Sequence, residues 1–316
     1  MLGLSDIGLE LDAAACATRA AAGHRTVRAD VCSYPVERFA GAEGVVISPP
    51  CQAFSSAGNG EGRLFLGQLA ADIHAGRWDS PYPERVRHVL EVGRWTETLR
   101  PRWVVAEQVP AVLPLWQAYA ARWRSLYGWS CWAGLLLAAD YGVPQTRLRA
   151  FLLARTDGQT VSPPEPTHCE GGASTMFGEL APWVSMADAL GWHGEAATVV
   201  NVGAGGAKSQ WVWEYPCTTV AGDPRITARC HHDDGSQGAD AKTTDQVRAG
   251  DYSGTEPVKL TLAEALIIQS FRPDYPVQGN KGQRFEQVGN AVPPLLAAHV
   301  LAVVTGRTLD LGEAAA

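Results

Sequence analysis

The residue of this 316-residue sequence best suited to nucleophilic chemistry is a cysteine that follows two prolines. Cys51 comes after Pro49 and Pro50, directly behind the apolar run 44–48. Open α/β proteins bind ligands at the carboxyl ends of their strands, and the two prolines stiffen this loop. The glycine- and serine-rich stretch 55–62 is suited to closing over a site. An ordinary buried cysteine is the alternative, but these surroundings favour a nucleophile.

Two further segments bring polar side chains to the ends of apolar runs. Glu107 follows the run 102–106, so its carboxylate either points into the crevice of Cys51 or begins a helix. Alternation along a strand opening at residue 145 would put three polar side chains on one face: Gln145, Arg147 and Arg149. Paired arginines are typical of a solvated edge, or of a site for a polyanion or a planar base.

These residues need a sheet to position them, and the first half of the chain has its pattern. Short apolar runs alternate with helical periodicity, which predicts a parallel α/β sheet. The predicted strands are 6–11, 44–48, 102–106, 131–138 and 149–154, and the predicted helices are 13–22, 85–99 and 113–126. Near the end, a capping box at Thr261 predicts a helix to Gln269, and a last helix spans 293–304.

The stretch after Arg155 differs in composition. Glycine, proline, serine, threonine and aspartate dominate as far as Glu256, which predicts a smaller, loop- and β-rich domain with strands near 210–214 and 218–221. The stretch from Asp157 to Glu256 contains fourteen acidic and five basic residues, so it is strongly acidic. We therefore divide the chain into domain 1–155, an inserted domain 156–256, and a segment 257–316 that completes the first domain.

Composition excludes several classes of protein. With 46% apolar and 19% charged residues the chain can bury a core, so wholesale disorder is excluded. The uncharged apolar stretches are too short to cross a bilayer, and the seven cysteines form no CxxC pair that would indicate a zinc ribbon or disulfide framework. A net charge of −7 does not by itself indicate nucleic-acid binding. We predict a protein of a reducing, cytoplasmic compartment without a membrane partner or a resident metal.

Taken in order, the motifs resemble those of the DNA (cytosine-5) methyltransferase family over nearly the whole chain. Pro49-Pro50-Cys51-Gln52 matches its PCQ motif, and Glu107-Gln108-Val109 is similar to its ENV motif, with Gln in place of Asn. Residues 145–149 match QxRxR, and residues 289–294 match GNAVPP. The resemblance implies a Rossmann-like methyltransferase sheet, with a target-recognition domain in the variable region.

The resemblance also implies a reaction, methyl transfer from S-adenosylmethionine (SAM) to C5 of a cytosine flipped out of double-stranded DNA. Cys51 would add to C6, Glu107 would bind N3, Arg149 would contact the base carbonyl, and Arg147 would support it. The implied SAM contacts are Glu10, Asp30, Pro50 and Asn290. The candidate DNA contacts are Gln52, Ser55 and Gln145, together with Arg225 and Arg229, which belong to a cluster of basic residues in the otherwise acidic middle stretch.

One family motif has no counterpart here. The chain begins at Met1-Leu2-Gly3-Leu4, which resembles the end of the helix after the FAGxGG turn that receives SAM. Absence of the preceding central strand would uncover an apolar groove and unpaired amides. Three explanations stay open: a start further upstream, a separate polypeptide that supplies the segment, or a decayed copy. A DNA-binding remnant and a tRNA cytosine-5 methyltransferase are therefore the alternative functions, and the oligomeric state is left open.

Overall fold

The computed structural model describes residues 2–55, 60–176, 178–191, 197–202, 208–212, 216–217, 220, 227–230 and 257–310. The chain begins with a small parallel unit, in which β1 (Ile7–Glu10) leads through α1 (Ala13–Ala21) to β2 (Arg25–Arg28). The Asp12 side chain caps α1 by accepting a hydrogen bond from the Ala15 amide at 2.8 Å. The predicted first strand and helix are confirmed.

A four-stranded mixed sheet follows. Its strands are β3 (Gly44–Ile47), β4 (Trp103–Gln108), β5 (Ser130–Leu137) and β6 (Leu148–Arg155), and its helices are α2 (Leu66–Ala75), α3 (Glu84–Leu99) and α4 (Leu113–Tyr127). The strand order is β3-β4-β6-β5, in which β3 and β4 are parallel and β6 is antiparallel to both neighbours. The expectation of a wholly parallel sheet was therefore wrong for β6. The connection 138–147 is too short for a parallel crossover, so the chain must return antiparallel.

Helices cover both faces of this sheet. On one face α2, α3 and α4 enclose a core that contains Trp116, Tyr119 and Trp123, all fully buried. On the other face the last helix, α8 (Pro294–Thr305), packs Leu296, Val300 and Val304 against the sheet. This three-layer arrangement leaves the carboxyl ends of β3 and β4 free to position a site.

The middle region is rich in short strands, as its composition predicted. A three-stranded sheet contains β7 (His168–Cys169), β8 (Ala173–Thr175) and β9 (Gly178–Pro182), followed by the short helix α5 (Met186–Leu190). A four-stranded antiparallel sheet has the order β11-β10-β12-β13, with strands Lys208–Val212, Ala197–Val202, Thr227–Cys230 and Pro257–Lys259. The strand predicted near 210–214 corresponds to β11, whereas the one predicted at 218–221 lies outside the described residues except Val220.

The C-terminal segment packs back onto the beginning of the chain. It contains α6 (Leu262–Ile268), α7 (Lys281–Asn290) and α8, and the predicted capping box at Thr261 is present. The Thr18 hydroxyl on α1 donates to Gln287 at 2.6 Å and accepts from the Gln278 amide at 2.8 Å. The C-terminal segment therefore contacts α1, and the division of the chain at residues 155 and 256 stays a prediction.

One helical stretch is long and apolar enough to span a membrane by length and composition, residues Lys281–Thr305, with 44% of its most apolar window buried. It is broken between α7 and α8 around Pro293. Because Leu296 and Val300 lie in the core against the sheet, packing inside the protein accounts for its apolar character.

In the described part of the chain, β1 and β3 each carry a large apolar side chain that is exposed. The β1–β2 pair forms a sheet of its own, and no described strand pairs with the outer edge of β3. Val46 on β3 is 60% exposed, and Ile7 on β1 is 45% exposed. The backbone N–H and C=O groups along the outer edge of β3 are suited to pairing with a further strand.

Candidate active site

Cys51 lies where the sheet ends and the chain turns. Its carbonyl accepts hydrogen bonds from the amides of Phe54 and Ser55 at 2.9 and 2.8 Å, so the residue begins a tight turn. Pro49 before it is buried and Pro50 is exposed. The half-buried Cys51 packs against the core of the α2–α4 face. The thiol is therefore held by a stiff loop at the carboxyl end of β3.

Glu107 comes from the end of β4 and has both carboxylate oxygens engaged. One oxygen accepts a hydrogen bond from the Ser48 hydroxyl at 2.7 Å, and the other lies 3.2 Å from Arg149 Nε. The side chain is 6% exposed, so solvent screens these contacts weakly. Of the two readings of Glu107, the structure favours the crevice, because its carboxylate faces an arginine and a serine of the neighbouring strand ends.

The next residue links β4 to the cysteine loop. Gln108 is buried, and its side-chain amide donates to the Pro49 carbonyl at 2.6 Å while its oxygen accepts from the Val109 amide at 2.6 Å. The amide that replaces the usual Asn therefore fixes the two prolines before Cys51. Sequence reasoning assigned no role to Ser48. Ser48 stands directly before the two prolines, which was the one local indication of a role. Its partner, Glu107, lies 59 positions further along the chain, so the contact could not be predicted locally.

Cys51 and the charged groups influence one another. Burial is the largest effect on Cys51 and raises the pKa of its thiol. The Arg149 guanidinium lowers that pKa, Glu107 raises it, and Arg147 lowers it to a smaller extent. The thiol is therefore protonated at neutral pH, and the two cations are the groups that favour the thiolate.

The three polar side chains of residues 145–149 have separate surroundings. Strand β6 begins only at Leu148, so the expected single face is not formed. Gln145 is fully buried and its side-chain oxygen accepts from the Val220 amide at 3.1 Å. Arg147 is 2% exposed and donates to the Gly289 carbonyl at 2.8 Å. Of these three side chains, Arg149 is the one that contacts Glu107. Arg147 instead holds the backbone of the C-terminal motif at Gly289.

The loop after Cys51 is anchored at its base. The Gly62 amide donates to the Ala53 carbonyl at 2.9 Å, and Arg63 Nε donates to the Phe54 carbonyl at 2.8 Å. Gly62 packs so closely on the Phe54 ring that a Cβ there would lie 2.7 Å from it. Gln52 and Ser55 are half-buried near this base, and residues 56–59 lie outside the described part.

The residues predicted to hold a cofactor lie at two places. Glu10 ends β1, where its carboxylate accepts from the Asp12 amide at 2.7 Å, and Asp30 follows β2 and accepts from the Cys32 amide at 2.8 Å. Because β1 and β2 are parallel neighbours, both carboxylates belong to the same end of that sheet. Pro50 lies beside Cys51, and the exposed Asn290 ends α7 next to the contact made by Arg147.

The predicted DNA contacts of the middle region are described only in part. Arg225 lies outside the described residues, and Arg229 belongs to β12, where it pairs with Thr198 and Pro257. Six cysteines are free in the described part of the chain: Cys16, Cys32, Cys51, Cys131, Cys169 and Cys217. One described group, Asp30, Cys32 and His88, has metal-ligand types close together.

Comparison with known proteins agrees with this arrangement. The C-5 cytosine-specific DNA methylase family matches residues 7–179 and 195–305. Type II methyltransferase M1.HphI from Haemophilus parahaemolyticus is 28% identical over 82% of this chain and 67% of its own length. Type II methyltransferase M.HgiDI from Herpetosiphon aurantiacus is 25% identical over 80% of this chain and 70% of its own length.

Solved structures share the fold at low sequence identity. The Entamoeba histolytica methyltransferase EhMeth superposes with a TM-score of 0.60 at 13% identity, over 95% of this chain and 89% of that chain. The S. pombe Dnmt2 methyltransferase also gives 0.60, at 14% identity, over 94% and 90%. The Rossmann-like methyltransferase fold implied by the motifs is therefore confirmed.

The matched residues include the cysteine loop, the end of β4, and the C-terminal helices that Arg147 contacts. The resemblance drawn from four short motifs is thus confirmed over most of the chain, and with it the use of SAM as methyl donor and cytosine as acceptor. The chain belongs to the C-5 cytosine-specific DNA methylase family.

Proposed function

We propose that this chain methylates C5 of a cytosine flipped out of duplex DNA, through a transient bond between Cys51 and C6. The observation that carries the proposal is the meeting of Cys51, Glu107 and Arg149 at the ends of three neighbouring strands. A thiol, a carboxylate and a guanidinium are the groups that addition to a cytosine ring requires.

The proposed reaction starts with the sulfur. The Cys51 thiol first gives up its proton to the Glu107 carboxylate, and the thiolate adds to C6 while the displaced electron pair moves through the ring toward N3. The protonated Glu107 donates a hydrogen bond, and then this proton, to N3 and so neutralises the charge that develops there. SAM, when bound, would supply the electrophilic methyl group for C5 and would leave as S-adenosylhomocysteine. Loss of the C5 proton to a base and elimination of Cys51 restore the double bond and free the thiolate.

The remaining polar groups position the reacting ones. Ser48 holds one oxygen of Glu107, and Arg149 holds the other while its guanidinium can also reach the base carbonyl. Arg147 fixes the end of α7, where Asn290 is our proposed contact for the methionine end of SAM. The chemistry of Glu10 and Asp30 fits the ribose hydroxyls and the adenine amine.

The proposed substrate is duplex DNA. Because C6 of a cytosine is shielded inside the stacked helix, the base must be flipped out before Cys51 can reach it. Extruding the base costs a few kcal/mol, which contacts to the DNA offset. We assign sequence reading to the middle region that contains β10 to β13, and we propose Arg225 and Arg229 as its contacts to the DNA phosphates. Gln52 and Ser55 contact DNA beside the flipped base, whereas Gln145 supports the middle region from the interior. The reaction takes place in the cytoplasm, as in a bacterial modification system.

We further propose that an additional strand pairs with the free edge of β3. Two observations support this proposal. Val46 on β3 is exposed, and the β1–β2 pair is not joined to the larger sheet, so a strand added at β3 would lie over apolar surface that is now exposed. A Gly-rich turn on that strand would complete the SAM site. The strand belongs either to the same polypeptide or to a separate one.

Bisulfite sequencing tests the proposal. Genomic DNA from a host without cytosine methylation is compared after expression of the wild-type chain and of Cys51→Ala, each with and without a co-expressed FAGxGG segment. Protected cytosines in one fixed context, absent with Cys51→Ala, are the expected result. Soluble protein that protects no cytosine under either condition contradicts methylation of DNA. Retained binding to DNA then indicates a remnant, and methylated tRNA indicates an RNA substrate.

A further inference from the structure

The connection between β5 and β6, residues 138–147, is closed at its ends and anchored in the core. The Ala138 amide donates a hydrogen bond to the Arg147 carbonyl at 2.9 Å. Tyr141 and Val143, within the connection, are buried in the core between the sheet and α8. Because a closed loop packed in a core cannot shift independently of it, these residues move with the sheet. We call residues 138–147 the connector.

One part of the middle region is attached to the connector at Asp140. The Asp140 carbonyl accepts a hydrogen bond from the Thr167 amide at 2.9 Å, and the Asp140 carboxylate accepts one from Trp183 Nε1 at 2.9 Å. Thr167 stands directly before β7, and Trp183 stands directly after β9. The two bonds therefore fix two strands of the three-stranded sheet on the connector.

The part of the middle region between β11 and β12 is attached near the other end of the connector. Cys217 pairs with Gln145 in a parallel bridge. The Cys217 amide donates to the Pro144 carbonyl at 2.9 Å, and the Cys217 carbonyl accepts from the Thr146 amide at 2.7 Å. The side-chain oxygen of Gln145 accepts from the Val220 amide at 3.1 Å. Because Gln145, Cys217 and Val220 are fully buried, this contact is enclosed by protein.

The chain leads from this contact directly into the candidate active site. Arg147, two positions after Gln145, donates to the Gly289 carbonyl at 2.8 Å. Arg149, two positions further along, has its Nε 3.2 Å from Glu107. Contacts far from a reacting atom raise the rate of a reaction when they are fixed relative to that atom. The connector fixes the middle region relative to Arg149 and so provides such a link.

We propose that Gln145 is a positioning residue that couples DNA binding by the middle region to Arg149 and Glu107. The inference rests on the proposed function, in which the middle region reads the DNA. Gln145 lies in the interior, where it holds Val220 and the Cys217 bridge on the connector. DNA favours this closed contact, because it can touch the middle region and the site together only when the two are held together. By linkage, the contact strengthens DNA binding by the same factor.

Alkylation of Cys217 measures how often the contact opens. Cys217 is fully buried and burial raises the pKa of its thiol, so the reagent reaches a reactive sulfur only when the contact opens. Mass spectrometry of the Cys217 peptide follows the rate in the whole chain, with and without sheared genomic DNA from a host that lacks cytosine methylation. Cys131, buried on β5, reports opening of the main sheet in the same sample.

Gln145→Met keeps the length of the side chain but leaves the buried Val220 amide without its acceptor. Cys217 should then be alkylated about tenfold faster, with Cys131 unchanged. Saturating DNA should slow alkylation of Cys217 severalfold in the wild-type chain and little in the variant. Single-turnover methylation at saturating DNA, assayed with the FAGxGG segment if activity needs it, should fall about tenfold in the variant.

Gln269→Met is the matched control. Gln269 is also fully buried, but its side-chain amide donates to the Val288 carbonyl of α7 at 2.8 Å, so the control should leave alkylation of Cys217 unchanged. Equal acceleration at Cys131 and Cys217 in Gln145→Met would overturn the assignment, because it indicates a general loss of stability. The same holds for unchanged alkylation of Cys217, or for an unchanged methylation rate once the contact is open.

The measurements with DNA separate this inference from the proposed function. Bound DNA that does not protect Cys217 in the wild-type chain would overturn the coupling. DNA that protects Cys217 in a chain that leaves cytosines unmodified would contradict the proposed reaction and support the role of Gln145. Absence of DNA binding would contradict both.

Discussion

The two sheets of the catalytic domain differ in how completely they are covered. The four-stranded sheet has helices on both faces, and the groups at its carboxyl end are paired and nearly buried. In the two-stranded sheet, Ile7 is 45% exposed. The outer strand of the larger sheet, β3, is also open, since its Val46 is 60% exposed; we call β1, β2 and this outer edge the open side. The site that we propose for the reaction thus lies where side chains are packed and paired, whereas the side that we propose for the cofactor leaves apolar side chains exposed.

This comparison has an energetic reason. Addition of a thiolate to a ring requires groups held within a fraction of an ångström, and only a covered sheet provides such restraint. The carboxylates of Glu10 and Asp30, which we propose for the cofactor, instead accept hydrogen bonds from nearby amides. Substitutions on the covered side should therefore reduce the rate of methyl transfer or the free energy of unfolding more than matched substitutions on the open side.

The largest expected effect is on catalysis at the covered side. Glu107→Gln keeps the size of the side chain but removes its charge, so methyl transfer should fall by about 10²–10⁴-fold. Glu43→Gln is the control, because Glu43 is exposed at the surface. Single-turnover methylation of a DNA duplex measures both. A Glu107→Gln rate within a factor of a few of the wild-type rate would contradict the role of Glu107.

A matched pair of valines tests the comparison through stability. Val104 is fully buried on β4, and Val46 is exposed on the neighbouring β3. Val104→Ala should lower the free energy of unfolding by about 2 kcal/mol, and Val46→Ala by less than about 0.5 kcal/mol. Urea denaturation measures both values. If an added strand covers β3, Val46→Ala should lower the free energy of unfolding more when that strand is present. Equal losses of unfolding free energy for the two substitutions would contradict the difference in burial.

The reactivity of Cys51 tests the electrostatics of the covered side. Burial raises the thiol pKa and the Arg149 guanidinium lowers it, so Arg149→Gln should move the thiol pKa upward. Because the thiolate is the reactive form, alkylation of Cys51 should become slower at neutral pH and its pH profile should shift to higher pH. Mass spectrometry of the modified peptide follows the rate. Arg149→Lys keeps the charge and should show a smaller shift, whereas a shift to lower pH would contradict the assignment.

The smallest expected effect concerns Ser48. Ser48→Ala removes one hydrogen bond to Glu107, and because Arg149 still holds the other oxygen, methylation should fall by only about tenfold. Ser33→Ala, on an exposed turn of the open side, is the matched control and should have no measurable effect. Both are measured in the single-turnover assay. Loss as large as that of Glu107→Gln would mean that Ser48 contacts the substrate directly.

Much of the covered side could be predicted because its signals are local. Apolar runs placed β3 and β4, and the positions of Cys51 in the loop after β3 and of Glu107 at the end of β4 follow from these runs alone. The capping box at Thr261 identified α6 for the same reason, since a cap depends on residues three positions apart. The antiparallel direction of β6 was missed, although the short connection 138–147 contained the information.

The rest depends on residues far apart in the chain. The sequence determined which groups are available and at which strand ends they stand, because periodicity, caps and motif spacing act over a few residues. Only the tertiary structure decided that Ser48 and Arg149 share Glu107, that Arg147 holds the backbone at Gly289, and that His88 lies beside Asp30. These pairs are set by sheet register and helix packing, which bring together positions that local sequence cannot relate.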